Sequence, residues 1–220
     1  MTAMPRDNSS TPSIPGEKTP ARRNARRRKT PRPRWPGMVA ALSCCALLAA
    51  AFFQQWRLNQ REQELLEGIH AAANHHGLDP ALVRAVVWKE SRFNPQSVGT
   101  KGEIGLMQIT DGAVQDWARV NRQPIPEKAE LFRSDKNLDI GCWYLAHCRK
   151  HWNGYASQEI LQLAEYNAGR TKVLRDWAPK TPELTITPED ITYPSTRAYV
   201  QQILERQRLY HQERAGLPTK

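Results

Sequence analysis

"DPALVRAVVWKESRFNPQSVGTKGEIGLMQIT", residues 79–110, decides the fold class of this chain. Asp79 followed by Pro80 is a helix start. An N-cap carboxylate accepts from the free N–H groups of the first turn, and proline suits the first helical position because its missing N–H would go unused there. Leu82, Val83, Val86 and Val87 then recur at the spacing of one helical face, and Glu90 falls on the same broad face one turn later. That spacing points a carboxylate toward the core. Beyond it Gly99, Gly102 and Gly105, three apart, permit tight turns and a close approach of backbone to a ligand.

The helical pattern continues on both sides. Upstream, "RLNQREQELLEGIHAAANHH" (57–76) reads as an amphipathic helix that Gly77 ends, in the position glycine suits. Downstream, helices are expected at about 111–121, 135–152, 157–168 and 195–213, with Ser157 as a cap and Gly169 as a stop. Only "ELTITPEDITY" (183–193) has the two-residue alternation of a short strand pair. No internal repeat is present. The fold class is a compact, mainly α domain.

With 220 residues, 40% hydrophobic and 25% charged, the chain has enough apolar material for one well-cored domain with appendages. Its net charge of +10 is unevenly spread, because residues 1–34 alone carry a net +8. A nucleic-acid-binding domain places its excess charge on the folded face that meets phosphate, so that class is disfavoured. Residues 1–36, rich in Pro, Ser and Thr, read as a disordered basic tail on the cytoplasmic side. Met38 to Phe53 is an uncharged run between Trp35 and Trp56, and residues 37–56 read as a membrane segment with everything after it extracytoplasmic, in the cytoplasmic membrane. Two forms of that segment stay open. The run is short for a span and Ala49–Ala51 suits a signal peptidase, whereas the long leader and the flanking tryptophans suit an uncleaved anchor. Residues 57–220 are the catalytic candidate.

Export makes the cysteines worth weighing, since a disulfide is possible outside the cytoplasm. Cys142 and Cys148 fall in one expected helix, six residues and about 9 Å of rise apart. That exceeds the reach of a bridge, and two buried thiols are expected. His147 and His151 stand at i, i+4 spacing, yet no third ligand falls at a telling distance, so no metal is expected.

Glu90 has two readings on its own: an ion-paired or capping residue, or a carboxyl whose desolvation raises its pKa and makes it a proton donor near neutrality. The wider pattern adds to the second. "ESRFNP" (90–95), "GEIGLMQI" (102–109), "NLDIGCWYLA" (137–146), "AEYNAG" (164–169) and "STRAYV" (195–200), in that order, resemble the soluble lytic transglycosylase family, glycan-cleaving domains related to goose-type lysozyme. The resemblance covers about residues 64–210. It implies a lysozyme-like helical domain with at most a short β-hairpin, acting on peptidoglycan glycan strands with no cofactor. It makes Glu90 the catalytic acid and base. Ser91, Met107, Gln108, Asn167 and Tyr199 become substrate-binding candidates, and Tyr166 is expected both to line the cleft and to hydrogen-bond Glu90; Tyr193 is a further cleft candidate.

In such an enzyme the substrate supplies what a second carboxylate supplies elsewhere. The N-acetyl group of N-acetylmuramic acid assists departure and the sugar's own 6-hydroxyl attacks C1, so one carboxyl serves as acid and then base. The alternatives are a lysozyme-like muramidase, in which the acid activates water, and a non-catalytic glycan-binding protein of the envelope. The chain departs from the family at three places: Gly99 stands where a serine is usual, with Ser97 two residues earlier; Ser195 replaces an acid; and Glu165 precedes the Tyr-Asn pair, where a solvated or arginine-paired role is expected. Any partner in an envelope machine is left open.

Overall fold

The computed structural model describes residues 35–216. Of the expected disordered tail, residues 1–34 lie outside the described ones, while Trp35 and Pro36 already open a helix. The chain divides into two units, Met1–Ala46 and Leu47–Lys220. In the first, the described residues are helical. In the second, helices build one hydrophobic core.

The α-helices are α1 (Trp35–His75), α2 (Pro80–Ser91), α3 (Asp111–Asn121), α4 (Ser134–His151), α5 (Gln158–Ala168), α6 (Arg170–Asp176) and α7 (Pro194–Arg214), with 3-10 turns at Glu130–Phe132 and Pro188–Asp190. Gly77 ends the first helical stretch with a φ of +63°, where a Cβ would be strained. Asp79 caps α2 through the Ala81 N–H at 3.0 Å. Leu82, Val83, Ala85, Val86 and Val87 fill the core from α2, which packs along α7 on Tyr199, Val200 and Ile203. α4 and α5 close the other side with Ile140, Leu145, Leu161 and Leu163. Cys142 and Cys148 are free and buried on α4, and burial pushes both thiols well above the usual range.

Two expectations need correction. Among the described residues there is no strand, and the only β-bridges, Val98–Ile104 and Ile104–Ile109, lie in the glycine loop. Residues 183–193 instead form an irregular segment with a 3-10 turn. Pro188 cannot donate to a ladder, and Asp190 folds back to accept from the Thr187 N–H at 2.7 Å. Second, Ser157 sits before α5 but does not cap it; its hydroxyl donates to the Ile186 carbonyl and accepts from the Ile186 N–H. The membrane reading of residues 37–56 stays a reading: among the described residues no helix is long and apolar enough to cross a membrane. Met38, Ala40 and Ala41 at the start of the apolar run lie outside the residues whose side chains are described. What this stretch shows is an apolar helical surface with Leu42, Leu47, Leu48, Phe52 and Phe53 exposed.

Candidate active site

The last turn of α2 ends in an unusual way. Arg92 and Phe93 follow each other in the left-handed region, with φ of 52° and 57°, a conformation that costs energy for residues with a Cβ. The Phe93 ring is wholly buried, and that burial offsets the strain. Ser91 turns its hydroxyl back onto the Val87 carbonyl at 3.2 Å. The helix therefore stops one residue after Glu90, and its carboxyl meets the glycine loop instead of another turn.

That loop is held by backbone bonds and one buried side chain. Gly99 N–H donates to the Glu103 carbonyl at 2.7 Å, and Gly105 N–H to the Ser97 carbonyl at 2.8 Å. Asn137, fully buried at the start of α4, clamps the loop from below. Its Nδ2 donates to the Ile104 and Leu131 carbonyls at 2.9 and 2.8 Å, and its Oδ1 accepts from Met107 N–H at 2.9 Å. Gly105, at φ +79°, has no room for a side chain because a Cβ would collide with the Asn137 amide. Gln108 itself lies at φ +48°; its Nε2 donates to Ser97 and Gly105 carbonyls at 3.2 and 3.0 Å, leaving Oε1 turned toward Gly99.

Glu90 is half-buried, and its Oε1 accepts a 2.6 Å hydrogen bond from the Tyr199 hydroxyl on α7. Desolvation pushes its pKa up to about 7; the Tyr199 bond and the Lys89 charge pull against that rise, and the Glu103 charge adds to it. The carboxyl is therefore a proton donor near neutrality that can return to a base, the property a general acid and base requires. Burial, and then the Glu90 charge, push both Tyr166 and Tyr199 above the ordinary phenol value. Both hydroxyls stay protonated and act as donors.

The sequence-derived candidates do not all converge. Tyr199 bonds Glu90, and Gln108 is held within the glycine loop. Tyr166 does not bond Glu90: its hydroxyl donates to the Met107 carbonyl at 2.8 Å. Met107 is fully buried and packs on Gly141, where a Cβ would overlap its side chain, so it fills core instead of lining the cleft. Ser91 is buried and spent on its own helix. Asn167 is exposed and accepts from the Thr196 hydroxyl at 2.9 Å, while Tyr193 is exposed under the Lys172 ammonium. Glu165 is neither solvated nor paired with arginine. It is buried and accepts from Trp152 Nε1 and pairs with His151 Nδ1, both at 2.7 Å.

Two residues of the site were missed from sequence. Asn137 opens the "NLDIG" motif but its clamp spans thirty positions, as its bond to Met107 shows. Glu103 stands inside the glycine loop. A Cβ on Gly99 would overlap its carboxylate. Away from the site, His75, His76 and Asp139 bring donor atoms within 4.8 Å of one another, closed by a 2.8 Å His76–Asp139 bond.

With this geometry in view, comparison with known proteins is decisive. The family model described as the Transglycosylase SLT domain matches residues 67–185, more than half of the chain. The chain belongs to the transglycosylase SLT domain family. Relatives of this SLT domain include two proteins named membrane-bound lytic murein transglycosylase C. That of Edwardsiella ictaluri is 30% identical over 124 residues, covering 54% of this chain and 34% of the relative. That of Histophilus somni is 36% identical over 123 residues, covering 52% and 33%. The match thus spans about a third of the length of these relatives. Among solved structures, an inactive mutant of lytic transglycosylase Slt from Pseudomonas aeruginosa superposes with a TM-score of 0.60 at 27% identity, over 70% of this chain and 24% of that one. The 70 kDa soluble lytic transglycosylase from Escherichia coli gives 0.57 at 22%, over 69% and 24%, a likeness of fold. The SLT domain here is lysozyme-like and mainly helical, with no strand among the described residues.

Proposed function

We propose that this protein is a membrane-anchored lytic transglycosylase that cleaves the bond between N-acetylmuramic acid and N-acetylglucosamine in peptidoglycan. One observation carries the reading: a carboxyl at the broken end of α2, desolvated to a pKa of about 7 and gripped by Tyr199. Protonated Glu90 gives its proton to the glycosidic oxygen as the N-acetyl group assists departure. The resulting carboxylate, stabilised by the Tyr199 donor, takes the proton of the 6-hydroxyl as that oxygen closes on C1, leaving a 1,6-anhydro end. Gln108 and the loop 97–108 form the wall beside the strand, and Ser91, Met107, Tyr166 and Asn167 support that wall or its surroundings. No cofactor enters the scheme.

Residues 37–56 are read as the anchor, the exposed leucines and phenylalanines of α1 facing lipid, with residues 57–220 in the extracytoplasmic space. A second reading, hydrolysis in the manner of lysozyme, is favoured by Glu103, a second carboxylate close enough to raise the Glu90 pKa. Glycosidases that use water hold two carboxyls across the bond. Digestion of purified peptidoglycan by the full chain, with mass spectra of the products over time, separates the two. Anhydro ends, lighter by one water, support transglycosylation; reducing ends overturn it in favour of the muramidase, and intact glycan removes both.

A further inference from the structure

A cavity of about 910 Å³ lies away from Glu90. It lies between α1 and the ends of α2 and α7, and Trp88 lines it from α2. Two residues separate Trp88 from Glu90, a turn of about 200° around the helix, so the cavity and the catalytic carboxyl look out from opposite sides of α2.

Five arginines line this cavity, Arg57, Arg61, Arg84, Arg92 and Arg206, against Glu62 and Glu213. Both acids are already engaged by Arg84, at 2.8 and 3.0 Å. The other four guanidiniums have no carboxylate partner among the described residues. Two of them, Arg92 and Arg206, stand over the same Trp88 ring at 3.6 and 4.0 Å from its centroid. Burial and the Arg206 charge both work against the Arg92 cation. Two like charges held on one indole, with two more beside them, make a site that lacks an anion. Arginine's fork of N–H donors matches phosphate oxygens in particular.

The position narrows the source of that anion. Ala51, Gln54 and Gln55 also line the cavity, in the same stretch of α1 that exposes Leu47, Leu48, Phe52 and Phe53. Arg57 follows Phe53 by one helical turn, about 6 Å along the axis, and Arg61, about 12 Å along, reaches toward the same depth only through its long side chain. The headgroup layer beyond the hydrocarbon is only about 5–8 Å deep on each side. A free anion would satisfy the arginines and leave the apolar surface unused, whereas an amphiphile satisfies both. We infer that this cavity binds the phosphate headgroup of an anionic phospholipid at the membrane surface, its acyl chains lying along α1. The inference rests on the membrane reading of the apolar run.

The test uses the full chain in non-ionic detergent at low salt, melted with rising dihexanoyl phosphatidylglycerol, dihexanoyl phosphatidylcholine or inorganic phosphate. Phosphatidylglycerol is expected to raise Tm saturably, as a ligand of the folded state does, and the other two are not. Arg61→Gln and Arg206→Gln should each weaken that response roughly tenfold, the worth of one charge-assisted bond. If Arg206→Gln does not fold, Arg61→Gln, which leaves the Trp88 stack intact, carries the comparison. An equal response to phosphatidylcholine or to inorganic phosphate overturns the assignment, and so do variants that respond like the parent. Cell fractionation separates this from the anchor: a chain outside the membrane fraction removes the membrane reading, while a membrane-bound chain indifferent to phosphatidylglycerol removes the site alone.

Discussion

The proton on Glu90 sets what the site can do and when. Its pKa in the folded chain, about 7, lies above the 4.5 of a free glutamate, so between these values the folded state binds more proton than the unfolded one. Stability therefore falls as pH rises through that window and stays reduced above it. Glu90→Gln removes the slope. It should abolish cleavage, since an amide cannot donate the proton, and melt above the parent at about pH 9, the gap closing as pH falls toward about 4.5. Tyr199 and Glu103 bias the same proton in opposite directions. Tyr199→Phe deletes the bond that stabilises the carboxylate, which should move the alkaline limb of kcat/KM to higher pH. It should also lower turnover roughly ten- to a hundredfold, from about 1.5–3 kcal/mol. Tyr166→Phe loses only the Met107 carbonyl, so it should lower Tm and leave the pH profile in place. Glu103→Gln removes a like charge and should shift the alkaline limb to lower pH. Rate profiles over pH for Tyr199→Phe, Tyr166→Phe and Glu103→Gln, with melting curves over pH for Glu90→Gln and Tyr166→Phe, check these signs together.

At the scale of elements, what was legible in sequence is what local chemistry dictates. The Asp79-Pro80 start, the helix at about 111–121, and the stops at Gly77 and Gly169 need only neighbouring residues. The strand pair expected at 183–193 failed because one proline and one aspartate outweigh a two-residue alternation. The partner of Glu90 was illegible for another reason: Tyr199 comes 109 residues later, and only the docking of α7 on α2 brings it in. The fold of the glycine loop depends in the same way on Asn137, whose amide satisfies one N–H and two carbonyls that water cannot reach. Asn137→Leu has nearly the same volume but strands all three, at about 1–3 kcal/mol each. The expected outcome is a Tm loss larger than that of Tyr166→Phe, with faster amide exchange across residues 104–107 as the diagnostic measurement.

For the whole molecule, charge and apolar surface are sorted along the chain: the basic excess lies in residues 1–34, and the large exposed apolar side chains cluster along α1 from Leu42 to Trp56. Leu47, Leu48 and Phe52 are 72%, 66% and 75% exposed, so folding of the SLT domain gains nothing from them. Such a surface is costly in water, at about 25 cal/mol for each Å², and a bilayer removes that cost. Two consequences separate a membrane role from a folding role. Leu47→Asp with Leu48→Asp places two charges in the middle of the run, each opposed by about 2.5–3.5 kcal/mol for a carboxylate at the centre of a span, on top of the lost leucine contribution. That exceeds what the remaining apolar residues recover, so the variant should leave the membrane fraction. Its melting curve should match the parent, because neither leucine touches the core, and its action on dissolved glycan fragments should be unchanged, because Glu90, Tyr199 and the glycine loop lie beyond α1. Cleavage of the wall in intact cells should fall, since the enzyme is no longer held beside its substrate. A variant that stays in the membrane fraction would show that the apolar run is not what holds the protein there. One that melts lower would show that this stretch of α1 belongs to the domain's own core.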